Sequence, residues 1–215
     1  MEKVISKIQF ITNYQSSISH FDQAKKVLEG GVKWIQYRPK SIDLQRVLDE
    51  GGKIAELCKQ NEATFIVNDY VEIAKELNAD GVHIGKNDMS VTDARILLGE
   101  HKIIGGTANT LTDVIDLANN KADYIGLGPY RFTQTKKNLS RVIGAEGYTK
   151  IISCLKDMNI DIPIIAIGGI QIPDINILMN TGVFGIAISS LLSDADNITE
   201  KTNELCNIVS ERYLL

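Results

Sequence analysis

No Cys-x-x-Cys pair, no Gly-x-Gly-x-x-Gly run and no Walker phosphate-loop sequence occurs in this 215-residue chain. The first absence removes the zinc-ribbon and dithiol redox readings, because both need thiols at short, fixed spacing. Cys58, Cys154 and Cys206 are instead far apart and odd in number, which fits reduced thiols buried in helices. The other two absences remove the common dinucleotide and mononucleotide cradles. No His/Cys cluster at zinc spacing is present either, and His20 and His101 look peripheral.

Aromatic residues are also scarce, and basic residues are outnumbered by acidic ones, 23 to 27. Five Phe and one Trp among 17 Gly predict an aliphatic interior with many tight turns. A formal charge of -4 excludes a general nucleic-acid or membrane-surface binder, while leaving room for a local basic pocket. No apolar run approaches the roughly 20 residues that span a bilayer, and the polar start Met1-Glu2-Lys3 does not lead into a signal-peptide core. A cytoplasmic location is therefore expected. No Pro/Gly-rich linker or low-complexity tract divides the chain, so residues 1–215 are expected to form one domain.

What the chain has is alternation. Short apolar runs at residues 8–12, 32–38, 63–67, 82–85, 103–107, 124–127, 163–170 and 184–188 read as strands. Between them, helical patterns cover 21–28, 43–60, 71–77, 91–98, 111–118 and 144–156; a helix starts near Pro173, and the last covers about 196–209. Eight compact βα units predict an α/β chain folded as a single-domain (β/α)8 TIM barrel. An open doubly wound sheet is the alternative, but it lacks the fingerprint expected at its first turn.

Polar residues gather where the strands end. Gln36, Arg38 and Lys40 share a parity opposite to that of Ile35 and Tyr37, so they face the barrel interior and its rim if Ile35 and Tyr37 meet the helices. Asn68 and Asp69 follow strand three, Asp88 strand four and Thr107 strand five. Thr133, Thr135 and Lys136 follow strand six in a loop opened by Gly128-Pro129, with alternate hydroxyls and a mobile cation suited to phosphate oxygens. Gly168-Gly169 follows strand seven and lets backbone N–H groups approach an anion, and Ser189 follows strand eight.

Parallel strands would bring all of these carboxyl ends to one face. That face would carry three cations, hydroxyls, two glycines and two carboxylates able to share one hard divalent ion. Asp69 alone could equally cap the helix after it. The set suits substrates with more than one phosphoryl group and favours stabilising a departing diphosphate over proton abstraction. His83 lies within strand four, between Val82 and Ile84, and reads as a structural hydrogen-bonded residue.

Six stretches, in order, resemble one known family: Ile35-Gln36-Tyr37-Arg38-Pro39-Lys40, Ile66-Val67-Asn68-Asp69, Ala79-Asp80-Gly81-Val82-His83-Ile84-Gly85, Ala122-Asp123-Tyr124-Ile125-Gly126-Leu127-Gly128-Pro129, Thr133-Gln134-Thr135-Lys136 and Ala166-Ile167-Gly168-Gly169-Ile170. The chain is similar to thiamine phosphate synthase (thiamine-phosphate pyrophosphorylase) over nearly its whole length. The resemblance implies a transferase of thiamine biosynthesis that joins 4-amino-2-methyl-5-hydroxymethylpyrimidine diphosphate to 4-methyl-5-(2-phosphoethyl)thiazole. Diphosphate would leave first, assisted by Mg²⁺, and the thiazole nitrogen would capture the resulting cation.

By the same resemblance, Gln36, Arg38, Lys40 and Asn68 contact the pyrimidine and its diphosphate, and Asp69 and Asp88 ligate magnesium. Arg38, Thr107 and Lys136 serve the reacting diphosphate. Thr133, Thr135, Gly169, Ile188 and Ser189 bind the thiazole phosphate. The implied partners are these two phosphorylated small molecules, with no nucleic acid or membrane; the oligomeric state is open, a homodimer included.

Three positions depart from the family's usual pattern. Pro39 replaces an acidic residue, Lys86 a frequent Gln, and Asn109 a residue often His. Lys86 would add charge beside Asp88 and alter metal affinity. A thiazole tautomerase of the same fold is the nearest rival, disfavoured by the full polar set and by Asn109, which lacks acid/base capacity. A non-catalytic phosphate sensor could dispense with Asp69 and Asp88.

Overall fold

The computed structural model describes residues 3–40, 43–132 and 141–211. Eight strands occur in chain order: β1 (Ile8–Ile11), β2 (Trp34–Tyr37), β3 (Thr64–Asn68), β4 (Gly81–Ile84), β5 (Ile103–Ala108), β6 (Tyr124–Leu127), β7 (Ile164–Ile167) and β8 (Gly185–Ile188). They close into a barrel in sequence order, every neighbouring pair parallel, with β8 returning to β1. Helices α1 (His20–Glu29), α2 (Leu44–Gln60), α3 (Val71–Glu76), α4 (Val91–Leu98), α5 (Leu111–Asn119), α6 (Gly144–Asp157) and α7 (Asp174–Asn180) follow β1 to β7. After β8 come a four-residue helix, α8 (Ser190–Ser193), and the final helix, α9 (Ile198–Glu211). The (β/α)8 expectation holds.

Strand pleating divides the core in two. Ile35, Tyr37, Phe65, Val67, Val82 and Ile104 point outward into a large aliphatic layer under the helices. Ile11, Trp34, Ile66, Ile103, Tyr124, Ile165 and Ala187 fill the barrel itself. The parity read for strand two is therefore observed, with Trp34 and Gln36 inside. Trp34 and Tyr124 meet edge to face at 4.8 Å between ring centres.

Helix starts follow local chemistry. Ser19, Asp43, Ser90 and Thr110 each accept a backbone N–H at the start of α1, α2, α4 and α5, and Thr110 with Asp113 forms a reciprocal capping box. Residue 196 proves too early for the last helix, which begins at Ile198. The short α8 escapes sequence periodicity because four residues make barely one turn. Of the cysteines only Cys58 is fully buried, Cys154 and Cys206 being half-exposed, and His20 packs edge-on against Tyr37 rather than lying free at the surface. Among the described residues no helix is long and apolar enough to cross a membrane.

Candidate active site

The parallel barrel sets the ends of β2, β3 and β4 side by side, with Gln36 opposite Ile66 and Asn68 opposite His83. Gln36 is buried, and its Nε2 donates to Gln9 Oε1 at 3.0 Å. Arg38, one step above, is anchored through its backbone N–H to Thr12 Oγ1 at 2.9 Å, and its guanidinium lies 5.6 Å from the Tyr14 ring centre. Lys40 reaches across to β3, where its Nζ is 2.8 Å from Asp69 Oδ2.

Asp69 adopts φ +66, a left-handed conformation that costs free energy in a non-glycine residue and tends to mark functional turns. Its backbone N–H donates to His83 O at 2.8 Å, which steers the turn toward β4. Tyr70, not Asp69, stands at the cap position of α3, and no side chain caps that helix. The capping alternative for Asp69 is thus excluded, and its carboxylate is available at the barrel mouth.

Asp88 Oδ2 accepts the Gly85 N–H at 2.8 Å. A Cβ on Gly85 would lie 2.6 Å from that oxygen and 3.7 Å from Asp69 Oδ1, so glycine is what lets both carboxylates converge. Burial, and next the charge of Asp69, push the Asp88 carboxyl above the usual range. Among the described residues no group of three or more His, Cys, Asp or Glu converges. The described side chains thus bring two carboxylates together here and no further ligand of these types.

Lys86 does not stand beside Asp88 as an added charge, contrary to the sequence expectation. Its Nζ is 2.6 Å from Asp113 Oδ2 at the start of α5. Burial alone would raise the Asp113 carboxyl, but bonds from Lys86, the Asn109 N–H and Thr110 outweigh it and hold the group below the carboxylate range. Asn109 Nδ2 donates to Gly128 O, which ties its amide to the backbone leaving β6.

On the opposite side, Gly168 and Gly169 have φ +98 and +67, where a side chain is strained. A Cβ on Gly169 would lie 2.8 Å from Phe132 O, so this turn packs against the chain entering residues 133–140. That entry is tied down by Arg131, whose NH2 is 2.6 Å from the buried Asp174 Oδ1. Thr133, Thr135 and Lys136 lie outside the described residues. Ile188 is buried at the end of β8, and Ser189 carries a buried Oγ without a hydrogen-bond partner among the described residues. A cavity of about 580 Å³ opens here, bordered by Asn13, Ser16, Arg131, Gly169, Ser190 and Ser193. Loops after strands seven and eight together with a short extra helix are the usual phosphate-binding place of this fold.

Two buried polar atoms among the expected site residues, Asn68 Oδ1 and Ser189 Oγ, therefore have no hydrogen-bond partner among the described residues. Buried polar groups are normally satisfied, so both point to a ligand. Thr107 Oγ1 sits 3.0 Å from His83 Nε2, which places its hydroxyl below the carboxylate side. Sequence reasoning missed Gln9, Tyr124, Arg131 and Asp174. Gln9 alone carried a signal, as a polar residue inside an apolar strand.

A family profile described as thiamine monophosphate synthase matches residues 8–192. The chain belongs to the thiamine monophosphate synthase family. Relatives in this family include a thiamine-phosphate synthase of Phocaeicola vulgatus, 47% identical over 97% of this chain and 100% of its own length. A second thiamine-phosphate synthase, from Bacteroides thetaiotaomicron, is 48% identical over 94% of this chain and 96% of its own. Among solved structures, a thiamine phosphate pyrophosphorylase from Pyrococcus furiosus superposes with a TM-score of 0.85 at 32% identity, over 95% of this chain and 96% of that one.

Proposed function

We propose that this chain is a thiamine phosphate synthase, joining the pyrimidine diphosphate to the thiazole phosphate with release of diphosphate. The observation that carries the reading is the convergence of Asp69 Oδ1 and Asp88 Oδ2 over Gly85, beside Lys40. Asp69 and Asp88 are the residues that would hold Mg²⁺, which when bound neutralises charge growing on the leaving diphosphate.

The chain's own groups account for the rest. Asn68 Oδ1 accepts an N–H from the aminopyrimidine, satisfying a buried acceptor. Arg38 and Lys40 face the diphosphate oxygens, with Thr107 and Lys136 completing the grip. The C–O bond to the methylene carbon breaks, and its electron pair leaves on diphosphate oxygen. The thiazole nitrogen lone pair then forms the new C–N bond, leaving that nitrogen quaternary. Fixed cations that meet charge only as it develops stabilise the transition state more than the ground state. No side chain needs to be alkylated or to take a proton. Gly169, Ser189, Thr133 and Thr135 hold the thiazole phosphate near the cavity beside α8.

The test is incubation of the protein with both substrates and Mg²⁺, followed by quantification of thiamine phosphate and diphosphate. Absence of product above an enzyme-free control, with folded protein, sinks the assignment. Asp69→Ala should lower turnover at least about a hundredfold with the fold retained; unchanged turnover and Mg²⁺ dependence refutes its role as ligand.

A further inference from the structure

Beneath the proposed site, side chains from five strands are joined end to end across the barrel. Gln36 Nε2 donates to Gln9 Oε1 at 3.0 Å, and Gln9 Nε2 donates to the Tyr124 hydroxyl at 3.1 Å. That hydroxyl lies 3.0 Å from His83 Nδ1, and His83 Nε2 lies 3.0 Å from Thr107 Oγ1. Gln9, Gln36, Tyr124 and His83 are all buried. The chain of bonds thus starts at a residue assigned to the pyrimidine and ends at one assigned to its diphosphate.

Gly105 makes the crossing possible. It is the register partner of His83 on one side and of Tyr124 on the other. A Cβ there would lie 2.1 Å from Tyr124 Cζ, so the ring crosses the space that any other residue would occupy. Gly126 similarly leaves the His83 ring room, a Cβ there falling 3.0 Å from His83 Cε1.

The orientation of the Gln9 amide, with Oε1 toward Gln36 and Nε2 toward Tyr124, sets the polarity. An amide N–H only donates, so Tyr124 accepts from Gln9 and has its own O–H to place. Burial, above all, pushes the Tyr124 hydroxyl well above the ordinary phenol range, so it remains a donor. His83 Nδ1 is the neighbour that can accept it. A neutral imidazole accepting at Nδ1 carries its proton on Nε2, which then donates to Thr107 Oγ1. Thr107, having accepted, turns its own O–H toward the site, where diphosphate oxygens can only accept.

We propose that Gln9, Tyr124 and His83 are positioning residues that fix His83 as the Nε2–H tautomer and so aim the Thr107 O–H at the substrate's diphosphate. What Thr107 faces rests on the synthase reading above. The opposite polarity, with Nδ1–H donating to Tyr124, lets Thr107 donate to His83 and turns its lone pairs on an anion.

The ¹⁵N-labelled full chain tests this directly. Long-range ¹H–¹⁵N correlation at neutral pH should show His83 protonated at Nε2 and not at Nδ1. A wild-type His83 protonated at Nδ1 overturns the relay, whatever any variant does. Tyr124→Phe should release the tautomer bias and lower kcat about tenfold, leaving KM for the thiazole phosphate unmoved. In a Thr107→Val background the same change should cost nothing further, because it acts through Thr107. Should Tyr124→Phe fail to fold, Gln9→Leu removes the donor that sets the polarity and should shift the His83 nitrogens likewise. A wild type without product overturns the synthase reading and the proposal with it, whereas an active wild type with a Thr107→Val protein of normal turnover overturns the proposal alone. An active wild type, an impaired Thr107→Val and a Tyr124→Phe protein with unaltered spectrum and kcat overturn the relay alone.

Discussion

Lys40 Nζ lies 2.8 Å from Asp69 Oδ2, while Oδ1 of the same carboxylate faces Gly85 and Asp88. One carboxylate thus divides its oxygens between a cation the chain supplies and the position proposed for a metal. Lys40 offsets repulsion between Asp69 and Asp88, and under the proposed function it would also meet the diphosphate.

Removing that cation should separate the two effects. Lys40→Met should tighten binding of Mn²⁺ alone about two- to fivefold, since a competing exposed ion pair of modest strength is lost. It should also raise KM for the pyrimidine diphosphate about tenfold or more, because a charge-assisted contact to phosphate disappears. Calorimetric Mn²⁺ titration and steady-state kinetics read the two arms. Weaker metal binding would show that Lys40 organises Asp69 instead of competing for it.

Lys86 gives the opposite expectation. With its Nζ 2.6 Å from Asp113 Oδ2 it is committed to the start of α5, so Lys86→Gln should leave the Mg²⁺ concentration dependence of turnover unchanged. Stability should fall by about 0.5 kcal/mol, as for other exposed pairs. The Asp113 carboxyl is held below its ordinary value in the folded protein, so its contribution is present above the unfolded-state pKa and lost as pH falls through the folded one. The stability gap between wild type and variant should therefore be full at neutral pH and close below about pH 4. Urea unfolding at both pH values checks it; a gap that widens in acid contradicts the pairing.

The contrast between Lys40 and Lys86 shows where sequence reading stops. Strand runs and parity placed Trp34 and Gln36 inside the barrel and Ile35 outside, because a period of two is a property of one strand. The carboxyl-end rule placed Asp69, Asp88, Thr107 and Ser189 on one face, because parallel strands share direction. Where Lys86 points depends on a helix 25 residues further on, as its partner Asp113 shows. The Gln9–Tyr124–His83 chain depends on barrel register and on the missing side chain of Gly105, neither of which is visible in a single strand. Thr133, Thr135 and Lys136 remain a sequence reading, lying outside the described residues.

The two Ala-Asp pairs that precede β4 and β6 lie in stretches that resemble the family, and both aspartates sit at the amino ends of the strands. Asp80 Oδ2 accepts the Phe65 N–H at 2.8 Å, and Asp123 Oδ2 accepts the Ile104 N–H at 2.8 Å, each bridging to the preceding strand. Asp123 also holds Arg95 NH2 and Lys3 Nζ, each at 2.7 Å, so one carboxylate ties the amino-terminal segment and α4 to the barrel floor. Its loss leaves the largely buried Arg95 guanidinium without a counter-charge, though still bonded to the Gly99 and Lys102 carbonyls, and takes the acceptor from the Ile104 N–H. Asp123→Ala should therefore cost about 2 kcal/mol in urea unfolding. Turnover per folded molecule should stay within about twofold of wild type, because the amino end of a barrel serves stability and the chemistry lies at the carboxyl end. A variant that unfolds normally and loses turnover more than about tenfold would move Asp123 from the scaffold to the site.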